Sequence, residues 1–205
     1  MYIPSHFREE RVDVMHELIR RHSLATLVTL GPDGLTANHI PMLVDPEPAP
    51  FGTLRGHVAR SNAVWRDPNT DVDTLAIFSG PESYISPSWY ETKRETGKVV
   101  PTWNYVAVHA YGRLQIVDDV EWLRDLVSAL TNVNEASFDH PWSITDAPAD
   151  FIEAQLQGIV GIQMTIARLE GKWKVSQNRP VPDCRGVMEA LESNEMSSFI
   201  RERMK

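Results

Sequence analysis

The chain has 205 residues, 42% of them hydrophobic, enough to bury a core without metal or disulfide staples. A formal charge of -8 and a pI near 5.3 exclude a nucleic-acid surface built on overall positive charge. The lone cysteine, Cys184, excludes an intrachain disulfide, no apolar run reaches a membrane span, and the start MYIPSHFREER has no apolar signal segment, so a cytoplasmic protein with no membrane partner is expected.

In chain order, residues 11 to 22 place Val12, Met15, Leu18, Ile19 and His22 on one stripe, which predicts a surface helix. Residues 24 to 30 and 35 to 45 read as strands of a hairpin, because Gly31-Pro32-Asp33-Gly34 between them is turn-forming. Pro41 lacks a backbone donor and is expected at an edge or a bulge. A proline-rich break at 45 to 52 precedes the strand TLRGHVA at 53 to 59, a short helix around SNAVWRD at 61 to 67, and a strand at 74 to 80.

Residues 80 to 105 gather Tyr84, Trp89, Tyr90, Trp103 and Tyr105 with Pro81, Pro87 and Pro101. The prolines exclude a regular helix or a central strand, so a stiff aromatic loop is predicted. Such a loop can wall a flat conjugated ligand or plug the end of a barrel, and the segment alone fits both. Residues 105 to 117 then alternate, with Val106, Val108, Ala110, Gly112, Leu114 and Ile116 on one face and His109, Tyr111, Arg113 and Gln115 on the other. Val120, Leu123, Leu126, Val127 and Leu130 keep a helical period over 119 to 131. After a loop with Asp139-His140-Pro141-Trp142, a helix near 148 to 157 starts at Pro148. A strand at 159 to 171 is expected to turn at Glu170-Gly171 into KWKVSQ, and one or two helices to fill 183 to 204. No repeat or linker separates two domains. Residues 1 to 205 are expected to form one domain, mainly β with peripheral helices (α+β), as a closed or nearly closed antiparallel barrel.

The chain has no P-loop, Rossmann glycine loop, H-E-x-x-H, C-x-x-C or G-x-S-x-G, which disfavours nucleotide hydrolases and zinc proteases. His39, His57 and His109 fall on three predicted strands and could converge on a metal. Lone strand histidines are more often hydrogen-bonded structural residues, so no metal is expected. Cys184 stands beside Arg185 without an identifiable partner base and is expected to be structural. The run from Leu54 to Asn62 leaves a strand and enters a helix, where backbone N–H groups and the helix dipole favour a phosphate, and Arg60, Ser61 and Asn62 add donors. The competing reading is that Ser61 or Asn62 caps the helix while the arginines are solvated.

Five segments carry a resemblance that runs nearly end to end: MYIPSHF at 1 to 7, GHVARSN at 56 to 62, AIFSGPESYISPSWY at 76 to 90, VPTWNYVAVHAYG at 100 to 112 and KVSQNR at 174 to 179. The chain resembles the FMN-binding negative transcriptional regulators, the PaiB-like family with the flavin split-barrel fold. The resemblance implies a six-stranded antiparallel Greek-key split barrel that forms a homodimer, with one FMN at each of two sites shared between subunits. The tail DCRGVMEAL at 183 to 191 matches more loosely, and Cys184 departs from the pattern.

FMN would give each candidate segment a partner, its phosphate for residues 57 to 62 and its planar ring for the aromatic loop. Thr36, Asn38 and His39 become candidates for the ring edge or the ribityl hydroxyls, with Trp103 and Asn104 completing the pocket from the other subunit. The expected cofactor-binding set is Asn38, His39, His57, Arg60, Ser61, Asn62, Trp103 and Asn104, and no catalytic residue is identified. The resemblance implies a flavin- or redox-responsive regulator. Split-barrel relatives also include FMN-dependent oxidoreductases and haem-degrading proteins, which is the alternative. A flavin-free interaction module is the third reading, and the intact GHVARSN counts against it. Direct DNA binding is expected to be weak, since no helix-turn-helix pattern is present and ETKRETGK at 91 to 98 is the only mildly basic run outside the termini.

Overall fold

The computed structural model describes residues 1 to 66 and 71 to 204. Among the described residues seven strands run in chain order as β1 (Arg8–Glu9), β2 (Leu24–Gly31), β3 (Gly34–Asp45), β4 (Thr53–Ala59), β5 (Thr74–Ile85), β6 (Thr102–Val117) and β7 (Ile159–Lys174). The α-helices are α1 (Val12–Arg21), α2 (Glu91–Thr96), α3 (Val120–Glu135), α4 (Ala149–Gln157), α5 (Val181–Ala190) and α6 (Glu195–Arg203). The strand order β1-β7-β4-β3-β2-β5-β6 has a further β6–β7 pairing, so six strands close on themselves and β1 attaches to β7. Strands β2, β3 and β4 are sequential neighbours and β5 returns beside β2, which is the Greek-key arrangement.

The β2–β3 hairpin pairs Leu24 with Pro41 through to Gly31 with Gly34. Gly34 turns the chain at φ 107°, a left-handed value that glycine alone adopts at no steric cost. Pro41 stands at the end of this ladder, where its missing donor breaks no bond within it.

Four elements differ from the sequence reading. β1 was not expected, because two charged residues carry no periodicity; it forms because Arg8 and Glu9 pair with Lys172 and Gly171. β7 runs straight through Glu170-Gly171 to Lys174 rather than turning there. Gly171 is needed for space: a Cβ there would sit 2.8 to 2.9 Å from Met15, Glu9 and Trp173. The aromatic loop is partly regular, since β5 extends to Ile85 and α2 occupies part of the rest. Pro81 lies inside β5 beyond Ile77, where the register of this strand with β2 ends. The expected helix at 61 to 67 is a single 3-10 turn, Ala63–Trp65, and Asp67 lies outside the described residues.

The chain divides into two compact units, one made of residues 1 to 15, 79 to 108 and 170 to 205, the other of 16 to 78 and 109 to 169. In the second unit Leu27, Phe78, Ala110, Leu126, Ile162 and Met164 are fully buried. Each large apolar side chain of this kind contributes about 1.5 to 3 kcal/mol over leaving it in water. Asp119 starts α3 by accepting from Trp122 N at 2.8 Å, and Leu123, Leu126 and Leu130 form its buried stripe. Gly161 of β7 lets Trp122 pack down, since a Cβ there would stand 2.4 Å from the indole. In the first unit, α5 packs against the 3-10 turn Pro87–Trp89 so closely that a Cβ on Gly186 would meet Trp89 O at 2.0 Å. Cys184 is buried in α5, and its thiol donates to Ser176 O at 3.3 Å. Burial pushes that thiol up, with Asp183 adding to the shift, which disfavours its thiolate.

Candidate functional site

Six of the eight predicted cofactor residues lie in the second unit, and strand alternation sorts them. On β3, Asn38 pairs with Leu27 and shares its side of the sheet with the buried Ile40 and Met42. His39 takes the opposite side, where its Nδ1 meets Thr26 Oγ1 at 3.2 Å. These neighbours in sequence therefore do not present their side chains to one surface. His57 lies on the β4 side opposite the buried Leu54 and Val58.

Asn38 and Asn62 are brought together. Asn62 Nδ2 donates to Asn38 Oδ1 at 2.8 Å, while Asn62 Oδ1 accepts from Val64 N at 3.0 Å and caps the 3-10 turn. Asn62 thus performs the capping role of the competing reading and also holds Asn38. Ser61 is exposed on the turn between β4 and Asn62. A three-residue turn has little dipole, so the helix-terminus argument for a phosphate does not carry over.

Arg60 is occupied. Its guanidinium donates to both oxygens of Asp118, at 2.6 and 3.0 Å, and to the carbonyls of Gln157 and Ile159, at 2.9 and 3.0 Å. The pair holds the Arg60 guanidinium above, and the Asp118 carboxyl below, their ordinary ranges through their mutual hydrogen bond. Arg66 is differently placed. It lies 5.7 Å from the Trp65 ring centroid, reaches Arg60 O at 3.5 Å, and has no carboxylate partner among the described residues. With Asn62, Thr36 and the turn residues Gly31 to Gly34 it lines a cleft of about 270 Å³, where Asp33 is the other charged group. Sequence reading passed over Arg66, although it stands four residues after Asn62 in the same segment.

His57 lines a separate cavity of about 310 Å³ under α3, with Pro41, Val127, Leu130 and Trp142 as apolar walls. Its Nδ1 is buried without a partner, and burial holds the imidazole below its ordinary value of 6.5. The folded protein therefore resists protonating His57, whereas the unfolded chain accepts the proton below 6.5. This contribution to stability is present above that value and is lost as pH falls. Denaturant titrations of wild type and His57→Gln should show a smaller acid-side loss in the variant; parallel curves would refute this.

In the first unit, Trp103 is half exposed and meets Tyr84 edge to face at a centroid distance of 6.0 Å. Asn104 is buried, and its Nδ2 donates to Ser176 Oγ at 2.8 Å. Ser176 has φ 67°, a left-handed value costly for a residue with a Cβ, and Asn104 pins it. His109 contacts Tyr111 OH at 3.4 Å. Among the described residues no cluster of three or more His, Cys, Asp or Glu is assembled for a metal.

Asn38 Nδ2 and His57 Nδ1 are both buried and unpartnered, each a cost that a ligand removes. The amide donor of Asn38 and the guanidinium of Arg66, which has no carboxylate partner among the described residues, suit the carbonyl edge and the phosphate of a flavin mononucleotide, whereas His57 lies on the other side of the sheet. The residues present therefore fit FMN.

A six-stranded Greek-key barrel with these groups at its strands belongs to the flavin split-barrel class. The fold matches a conserved hypothetical protein, Rv2991 from Mycobacterium tuberculosis, with a TM-score of 0.58 at 14% identity, covering 88% of this chain and 94% of that one. It also matches an FAD and haem binding protein from Mycobacterium smegmatis, with a TM-score of 0.56 at 11% identity, covering 82% of this chain and 73% of that one. Residues 1 to 168 match the family model described as "Putative FMN-binding domain". The chain is 32% identical to protease synthase and sporulation protein PAI 2 of Bacillus subtilis, over 95% of this chain and 91% of that protein. It belongs to this PaiB-like FMN-binding family, and FMN is the cofactor by which the family is described.

Proposed function

We propose that the protein is a cytoplasmic, homodimeric FMN-binding regulator that responds to flavin or redox state. The observation that carries FMN binding is Asn38, held by Asn62 with its own Nδ2 buried and unpartnered. Asn38 donates to the ring edge, Asn62 and Ser61 line the approach, and Arg66 receives the phosphate, while Arg60 shapes the turn through Asp118. His39, together with the half-exposed Trp103 contributed by the other subunit, is assigned to the ring or ribityl chain, and Asn104 holds the loop at Ser176. The similarity to PAI 2 of Bacillus subtilis supports the regulatory reading.

The test is the visible spectrum of purified protein and its titration with FMN. A yellow protein, or saturable FMN binding that Asn38→Leu weakens, is expected; a colourless protein indifferent to FMN would sink the reading. An FMN-dependent oxidoreductase is the second reading, favoured by the unpartnered imidazole of His57, which can give or take a proton. Sustained NAD(P)H oxidation under air, lost in His57→Gln, would establish it instead.

The homodimer is supported by apolar side chains left in water on the β2–β3 hairpin, where Leu24 is 60% and Leu35 78% exposed. Light scattering should give twice 23.2 kDa, and a stable monomer at micromolar concentration would refute a shared site. Tight binding of duplex DNA is not expected at physiological salt, because each chain carries -8. A nanomolar, salt-sensitive complex with a defined sequence would overturn that expectation.

A further inference from the structure

We propose that Lys172, Lys174 and Arg179 form a binding site for an oxyanion, a phosphate or a carboxylate, in the unit built from residues 1 to 15, 79 to 108 and 170 to 205. Lys172 and Lys174 are two apart on β7, so the pleat puts them on one face roughly 6 to 7 Å from each other. Lys172 is only 7% exposed, yet its ammonium has no carboxylate partner among the described residues. It donates to Tyr2 O at 3.0 Å and lies 4.9 Å from the Tyr105 ring centroid. Lys174 Nζ donates to Thr102 Oγ1 at 2.6 Å. The Arg179 guanidinium lies 4.8 Å from the Tyr90 ring centroid and acts on the buried Tyr90 hydroxyl.

A buried charge is tolerated when an opposite charge and hydrogen bonds compensate it, and neighbouring like charges raise the cost. The carboxylates of this unit do not meet the need. Glu9 is taken by Arg11 and Arg203, and Glu170 by the N-terminal amine. Asp183 acts on Tyr90 and Cys184, and its Oδ1 accepts from Thr92 N. Among the described residues no carboxylate forms an ion pair with Lys172, Lys174 or Arg179, which leaves their positive charge uncompensated. Burial first, then Lys172 and Arg179, hold Lys174 below the ordinary lysine range, the direction expected of a cation waiting for an anion. Thr102 and Tyr90 supply hydroxyls, and the chemistry suits a tetrahedral or planar oxyanion. The site goes beyond the FMN reading and does not rest on it.

The experiment is calorimetric titration of the full chain with inorganic phosphate at low ionic strength, repeated with acetate and with protein first loaded with FMN. Saturable phosphate binding is expected, weakened roughly ten- to a hundredfold by Lys174→Met and unchanged by Lys98→Met, an exposed lysine of the same unit. Followed by NMR, the Lys174 ammonium should titrate higher when phosphate is bound, because the anion offsets Lys172 and Arg179. Binding that survives FMN loading supports the site with a free anion as its ligand. Competition by FMN and not by riboflavin supports it with the cofactor's phosphate as the oxyanion, which would remove that role from Arg66. Tighter binding of acetate than of phosphate supports it with a carboxylate ligand. No saturable binding of either anion, or equal effects of Lys174→Met and Lys98→Met, overturns the proposal. Arg179→Gln repeats the comparison if Lys174→Met does not fold.

Discussion

Gly112→Val should be among the most destabilising single substitutions in this protein. Gly112 lies on β6 where it passes β7, and a Cβ there would stand 2.2 Å from Thr165 O and 2.9 Å from Met164 Cγ. The first of these atoms is backbone, so no rotamer change relieves the clash, and the two strands must move apart. Overpacking of a closed barrel in this way costs about 3 kcal/mol or more, which for a chain of this size lowers Tm by roughly 6 to 12 °C. Gly31→Ala is the control, because nothing lies within 4 Å of its added methyl. Thermal unfolding of the two variants decides the matter. If Gly112→Val melts with the wild type, the close passage of β6 and β7 is wrong.

Arg66→Ala should separate FMN from riboflavin. Under the proposed assignment Arg66 supplies a charge-assisted hydrogen bond to the phosphate, and losing such a bond weakens FMN binding roughly ten- to a hundredfold. Riboflavin has no phosphate, and its affinity should hardly change. Arg60→Ala should behave differently. Its guanidinium serves Asp118 and two backbone carbonyls, so removing it loosens the turn that carries Asn62 and Arg66 and should affect both ligands alike. The ratio of the two affinities in each variant is the deciding measurement. A selective loss of FMN in Arg60→Ala, with Arg66→Ala silent, would move the phosphate to Arg60 and show that it leaves Asp118 when the cofactor binds.

Much of the architecture was determined by the sequence itself, because alternation and helical period are local properties of side-chain order. The hairpin at 24 to 45, the long β6 with Val106, Val108 and Ala110 inward, and the helix after Asp119 all follow from patterns that need no distant partner. Five long motifs also made the family legible before any coordinate. Other features depended on contacts between distant residues. β1 exists only because β7 offers it partners, and β7 stays straight at Gly171 because Met15 and Trp173 fill the space a side chain would need.

The candidate site divides in the same way. The residue types at 38, 39, 57 and 60 to 62 were visible as chemistry in the sequence, and which of them share a surface was not. The pleat separates Asn38 from His39, and α3 roofs His57 in a cavity of its own. Arg60 reads as a free cation until Asp118, 58 residues away, is found against it. Lys172 and Lys174 read as residues past a turn at Glu170-Gly171 until β7 is found to run on to Lys174 with Lys172 buried. Charge and hydrogen-bonding capacity are written in the sequence, but whether a group is spent or available depends on partners that only the folded chain brings within reach.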